Sequence, residues 1–270
     1  MTDSNDMTRQ SVWLQEMRWP QIQQYRDKKA CVVIIPVGSV EQHGYHLPLG
    51  TDSMVAIRLA EDAAQRTDTT IVTPPLWFGW SPHHMALPGT ISIRAEILME
   101  ILFDVLSSLA THGFDRFIVI NGHRIVNIPW MQISAEKAQR ELGVTVVIYD
   151  PAWMSKEIGD QLQFGEVGHA EEIETSHMLH IRPQLVRMEE VRGEEGSATR
   201  KLYHVDPRVP KDTLCYVPST AKHMEGIAEV SGGAIGRPSL ATADKGKRLH
   251  EHLVSRLVEV IKELQRHSGS

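Results

Sequence analysis

Residues 31–52 read CVVIIPVGSVEQHGYHLPLGTD, and the first seven of them set the fold. CVVIIPV is a continuous β-branched run without polar alternation, which suits a strand covered on both faces. The same pattern returns at 116–120, RFIVI, and at 144–149, VTVVIY. Between these runs the apolar spacing turns helical. Residues 52–66 place Val55, Leu59 and Ala63 on one side, 95–111 carry Ile97, Leu98, Ile101, Leu102, Val105 and Leu109, and 128–142 follow the same period. Strand then helix, repeated, predicts a parallel α/β sheet with right-handed crossovers. Thr51 or Asp52 is placed to cap the first of these helices, and Gly113 and Gly143 sit where the next two should stop. A last amphipathic helix is expected from about Ala243 to Leu264, with Leu249, Leu253, Leu257, Val260 and Ile261 as its apolar face. The stretch 190–240, rich in Gly, Pro and charge, predicts no element.

The 270 residues, 41% hydrophobic and 23% charged, suit one substantial core. A net charge of −6 offers no basic surface for nucleic acid or an anionic membrane, which leaves a small molecule as the expected partner. The opening MTDSNDMTRQ is polar, and no apolar run reaches the roughly 18 residues of a membrane span, so a cytoplasmic protein is expected. Two cysteines, Cys31 and Cys215, are too few for a disulfide scaffold, and Cys31 opens a strand where any small hydrophobe would serve.

Ligands of open parallel sheets bind beyond the carboxyl ends of the strands. There the chain places GSVEQHGYHLPLGTD after the first strand, NGHRIVN after the second and DPAWM after the third. Glu41, His43 and Asp52 fall within twelve residues, and His123 comes from the next strand end. Alone, His43 or His46 would more often be a core or surface histidine, and Asp52 a helix cap. Together they form a nitrogen and oxygen ligand set suited to Zn²⁺ or Mn²⁺. In extended backbone, residues i and i+2 share a side, so Glu41 and His43 can face one cluster. Asp52 could bridge two ions about 3.5–4 Å apart that hold a hydroxide and polarise a carbonyl.

These segments resemble the creatininase (creatinine amidohydrolase) family. GSVEQHGYHLPLGTD is similar to its metal-binding signature, PHHMALPGT to a His-x-x-aromatic-Pro-Gly-Thr stretch with Leu87 in place of the aromatic, and INGH to the segment supplying a metal histidine. GHAEEIETS resembles the segment carrying a catalytic histidine and a glutamate five residues on, and GAIGRPSLATADKG its C-terminal signature. Five ordered matches cover roughly residues 12–265. The resemblance implies a single three-layer α/β domain over 1–270, with a central, mainly parallel sheet flanked by helices; residues 1–11 and 265–270 are expected to be disordered. It also implies two divalent ions, Zn and/or Mn, and a homo-oligomer, usually a hexamer. By position, Glu41 and His123 would hold one ion, His43 the other, and Asp52 would bridge them. His169 would move the proton, and Trp153 would lie near the substrate.

The departures matter equally. Where creatininase has a ligating glutamate this chain has Ile125, and most relatives carry glycines where it has Arg124 and Ile125. Glu174 is therefore the candidate to complete the second site, alongside a catalytic role. Glu171 replaces a glycine and is read as a third ligand source, a neighbour tuning His169, a substrate contact or a solvent-facing residue. Arg124 either clamps substrate or turns outward to an acidic partner. His84 is favoured over His83 as the substrate contact. Trp77, Trp80 and Trp130 are read as packing residues, with Trp80 able to border a pocket. The expected activity is metal-dependent hydrolysis of a C–N (amide) bond in a small cyclic or linear substrate other than creatinine. The alternatives are C–C ring opening of a diketo-inositol, as by 3-dehydro-scyllo-inosose hydrolase, deformylation of a formylamino-pyrimidine nucleotide, or ligand binding without catalysis.

Overall fold

The computed structural model describes residues 11–28, 30–165, 167–192 and 218–266. Four parallel strands, β1 (Val32–Val37), β2 (Thr70–Val72), β3 (Arg116–Asn121) and β4 (Thr145–Tyr149), lie in the order β2-β1-β3-β4. Ile34 pairs with Ile118, and Ile118 with Val147. Side chains alternate across this sheet, and each face has its own core. Val32, Ile34, Ile118 and Ile120 pack on one side, under α2 (Thr51–Ala64), α7 (Glu172–Ile181) and α9 (Ala243–Arg266). Val33, Ile35, Phe117 and Val119 pack on the other, under α3 (Ala95–Thr111) and α4 (Ile128–Leu142). The remaining helices are α1 (Trp19–Asp27), α5 (Pro151–Met154), α6 (Lys156–Leu162) and α8 (Ala221–Ser231). Helices on both faces of one parallel sheet make the three-layer α/β architecture that the continuous apolar runs predicted.

Several expectations need correction. β2 went unread because three residues are too few to show a period. β4 is an edge strand, with Thr145 exposed and Val147 and Ile148 only half-buried, so covering on both faces holds for β1 and not for β4. Neither Thr51 nor Asp52 caps α2: Gly50 is the cap residue, Thr51 Oγ1 donates to the Pro48 carbonyl at 2.7 Å, and Asp52 turns into the site. Within 190–240, Thr220 Oγ1 accepts the His223 N–H at 3.3 Å and starts α8, a cap that the Gly, Pro and charge content concealed. The C-terminal helix runs to Arg266, and Gln265 Nε2 donates to Thr69 Oγ1 at 2.7 Å, so 265–266 are ordered. Ser11, also expected to be disordered, accepts the Trp13 N–H through its Oγ at 3.1 Å. Residues 1–10 and 267–270, and Cys215, lie outside the described residues. Trp130 is buried and Trp80 packs against the α3/α4 core, but Trp77 is 40% exposed and is no core residue.

The C-terminal signature works by close packing. A Cβ on Gly246 would lie 1.8 Å from the Ser176 carbonyl oxygen, so α9 meets α7 at a distance that only glycine allows. Lys245 pairs with Glu172 one residue earlier. Gly246→Ala is expected to destabilise the protein by about 1–3 kcal/mol or more through backbone displacement, read as a lowered midpoint in urea unfolding.

Candidate metal centre

The site forms where strand ends meet the start of α2. A Cβ on Gly122 would sit 2.1 Å from the Asp52 carbonyl oxygen, so the turn after β3 lies directly against the first turn of α2. This contact brings Asp52 beside His123, while the loop after β1 delivers Glu41 and His43. His123 Nδ1 is 3.2 Å from Glu41 Oε1 and 3.1 Å from Asp52 Oδ2. His43 Nε2 lies 3.2 Å from Asp52 Oδ1 and 3.7 Å from Glu174 Oε2. Three donor groups close enough to hold a cation result, Glu41–Asp52–His123, His43–Asp52–Glu174 and Glu41–His43–His169, and the first two share Asp52. All six side chains are buried. Glu41 thus stands beside His123, Asp52 lies between the two histidines, and Glu174 presents a carboxylate to His43, whereas the Ile125 side chain has no donor atom.

The electrostatics suit cations. Both Glu41 carboxylate oxygens and Asp52 Oδ2 are buried without a hydrogen bond of acceptable geometry among the described residues, despite the nearby His123 nitrogen. Unsatisfied buried carboxylate is costly unless a cation compensates it. Burial pushes the Glu41 carboxyl up to about 7. Burial opposes an imidazolium at His43, yet Asp52, assisted by Glu174 and Glu41, raises its pKa to about 10. The Asp52 carboxyl is held well below its usual range, because His43 and His123 outweigh the cost of burial. The neighbouring carboxylates raise the pKa of both His43 and His123, and the same negative potential is what a divalent ion would answer, metal and protons competing for those nitrogens.

Arg124 neither turns outward nor presents a free clamp. It is buried, with Nε donating to Glu174 Oε1 at 2.9 Å and Nη2 donating to both Glu171 oxygens at 2.9 and 3.0 Å. Glu171 is completely buried and does not line the cavity, so its placement is that of a counter-charge to Arg124. Glu174 Oε2 accepts the Ala170 N–H at 2.6 Å and faces His43, its Oε1 being taken by the guanidinium.

His169 is held on both its backbone and its ring. Its backbone exchanges hydrogen bonds with Ile235 of the GAIGRP signature at 2.9 and 2.7 Å, the reason two motifs 66 residues apart belong together. Its Nε2 lies 2.6 Å from the Gln42 backbone carbonyl, so Nε2–H donates there and Nδ1 is turned to the cluster, 3.8 Å from Glu41 Oε1. His84 is buried, 3.4 Å from Glu41 Oε1 through Nε2 and 2.8 Å from Gln42 Nε2 through Nδ1. His46 is a core residue bonded to Thr175 Oγ1 at 2.9 Å.

The cluster opens into a cavity of about 600 Å³. Its wall includes His84, Arg124, Trp153, His169 and Glu174, and also Trp80 and the partly buried His83. Thr220, His223 and Met224, from α8 and the segment before it, also line it. Sequence reasoning missed these three; the one available signal was Thr220 as a helix cap three residues before His223.

Behind the site, His250 Nε2–H donates to Asp62 Oδ2 at 2.8 Å and its Nδ1 accepts from His177 Nε2 at 2.9 Å, tying α2, α7 and α9 together. Burial lowers the pKa of both histidines, and His180 and Arg58 also face them. The unfolded chain takes up protons below about pH 6.5 while the native state resists, so this network loses stability as pH falls through that value. Thermal unfolding of the metal-loaded protein at pH 7.5, 6 and 5 is expected to show the fall, with a shallower slope for His250→Gln.

A sequence profile described as "Creatininase: Creatinine amidohydrolase" matches residues 15–261. The chain belongs to the creatininase family. Within that family, the 3-dehydro-scyllo-inosose hydrolase of Thermotoga maritima is 30% identical, over 94% of this chain and 83% of its own. The mycofactocin precursor peptide peptidase of Mycolicibacterium smegmatis is also 30% identical, over 87% of this chain and 85% of its own. A solved point mutant of creatininase, of Zn-Zn type, superposes with a TM-score of 0.76 at 25% identity, covering 96% of this chain and all of that one. This creatininase-family chain therefore shares its architecture with a two-zinc protein, and its own buried donors suit the same kind of centre.

Proposed function

We propose that the chain is a hydrolase that uses two divalent cations, zinc or manganese, to cleave a C–N amide bond in a small cyclic or linear substrate other than creatinine. The observation that carries this reading is the pair of ligand triads sharing Asp52, from which His123 and Glu174 reach the wall of a cavity. Nitrogen and carboxylate donors without thiolate fit those metals. Ions bound there would supply Lewis acidity toward a carbonyl oxygen and a water nucleophile at neutral pH.

The protein's own groups have separable tasks. Glu41, His123, Asp52, His43 and Glu174 hold the charge, and Arg124 orients Glu174 from behind. His169, its Nε2–H fixed on the Gln42 carbonyl, keeps Nδ1 towards the cluster, where it would accept a proton and return it to the leaving nitrogen. His84 and Trp153 line the space a substrate would fill.

A second reading, C–C ring opening of a diketo-inositol, draws on the likeness to the inosose hydrolase. Arg124 gives it little support, because the guanidinium is already committed to Glu171 and Glu174; the same commitment weighs against a nucleotide phosphate as its ligand. The amide reading carries with it a cytoplasmic homo-oligomer, hexameric by resemblance, to be checked by light scattering.

Metal analysis of the purified protein is expected to return about two ions per chain. His169→Ala should keep both ions and lose about 10²–10⁴-fold in turnover. Normal hydrolysis by metal-free protein would end the proposal, and unchanged turnover in His169→Ala would remove that residue from the mechanism.

A further inference from the structure

Beside the metal centre the cavity wall is apolar, formed by Trp80, Ile125, Val126, Ile128, Pro129 and Trp153. Trp153 is 47% exposed there, an aromatic surface turned to a concave space rather than into a core. Ile125 adopts φ +67, a left-handed conformation that a β-branched residue takes only under constraint. The constraint is Asp150. Its Oδ2 accepts the Ile125 N–H at 2.7 Å and Asn121 Nδ2–H at 2.8 Å, while its Oδ1 accepts the Ala152 N–H at 2.8 Å and starts the helix that carries Trp153. One buried carboxylate therefore sets both the strained isoleucine and the tryptophan. Strained backbone survives where its surroundings over-determine it, and such positions cluster at ligand clamps. The one Arg or Lys on this wall, Arg124, is paired with Glu171 and Glu174, so among the described lining residues the wall away from the metal ligands offers no uncompensated side-chain cation to an anionic substituent.

We propose that Asp150 holds Ile125 and Trp153 as an apolar subsite for a bulky aromatic or branched group next to the scissile bond, so that the substrate is a neutral arylalkyl or branched-alkyl amide. This rests on the amide-hydrolase reading above. A phenyl group buried there gains the transfer free energy of its apolar surface, whereas a polyol ring would desolvate hydroxyls against partners that cannot bond them.

Calorimetric titration of the metal-loaded full chain with 3-phenylpropanamide, propanamide and myo-inositol tests the subsite, with product mass recorded in parallel. The aromatic amide is expected to bind at least about ten-fold tighter than propanamide. Ile125→Gly, which suits the positive φ and keeps the backbone, and Trp153→Ala should each remove most of that preference. Equal binding of the two amides, a preference unchanged in both variants, or tighter binding of myo-inositol would overturn the subsite. Preferential binding without cleavage would support the subsite and sink the amide-hydrolase reading. Cleavage of both amides at equal kcat/KM would do the reverse.

Discussion

Asp52→Asn is expected to strip the protein of metal, from about two ions per chain to fewer than one, and to lower kcat/KM by about 10³-fold or more. Asp52 belongs to two of the donor groups, with Oδ1 towards His43 and Oδ2 towards His123, so one neutralised carboxylate weakens two sites together. The rival role, a helix cap, predicts something else: a loss of about 1 kcal/mol in stability with metal retained. Because α2 has no side-chain cap bond, the variant should keep that helix, but losing the carboxylate between the buried His43 and His123 should lower the metal-free midpoint as well, so metal content rather than stability separates the two roles. Full metal content in Asp52→Asn would refute the shared-ligand arrangement.

The second large effect concerns Arg124. Arg124→Ala removes the cation between two buried carboxylates and leaves Glu171 and Glu174 facing one another. Breaking a buried pair in this way costs about 3–5 kcal/mol, and roughly 10 °C of thermal midpoint for a chain of this size. Arg124→Ala with Glu171→Gln should recover part of that loss, since only Glu174 then needs compensation, and divalent metal should recover more. A substrate clamp would behave differently, raising KM with an unchanged midpoint. Differential scanning fluorimetry of the two variants, with and without zinc, separates these outcomes.

The contrast between Asp52 and Arg124 marks where reading the chain succeeds and where it stops. Asp52, Glu41, His43 and His123 were legible because the apolar runs at 31–37 and 116–120 identify strands, and the residues just past a parallel strand share one edge by construction. Short-range spacing then supplied the rest. Arg124 was legible as an oddity but not as a partner of Glu171 and Glu174, since that pairing spans 47 and 50 residues and depends on how α7 docks against the turn after β3. The choice between an outward salt bridge, a substrate clamp and a buried counter-ion is made by packing distance, which periodicity does not encode. The three-residue β2 and the cap at Thr220 escaped for a simpler reason, too little local signal for a period to emerge.

Local pattern was therefore sufficient for the α/β layering, the positions of the three longer strands and a set of residues able to bind metal. Each follows from periodicity or from position at a strand end, and both are properties of short stretches of chain. Tertiary contact was needed to order the strands, to bring Glu174 Oε2 to 3.7 Å from His43, to spend Arg124 on two carboxylates and to set Ile125 at positive φ through Asp150. These arise from side chains far apart in sequence meeting within a few ångströms in a buried site, where an unpaired charge or donor is too costly to leave.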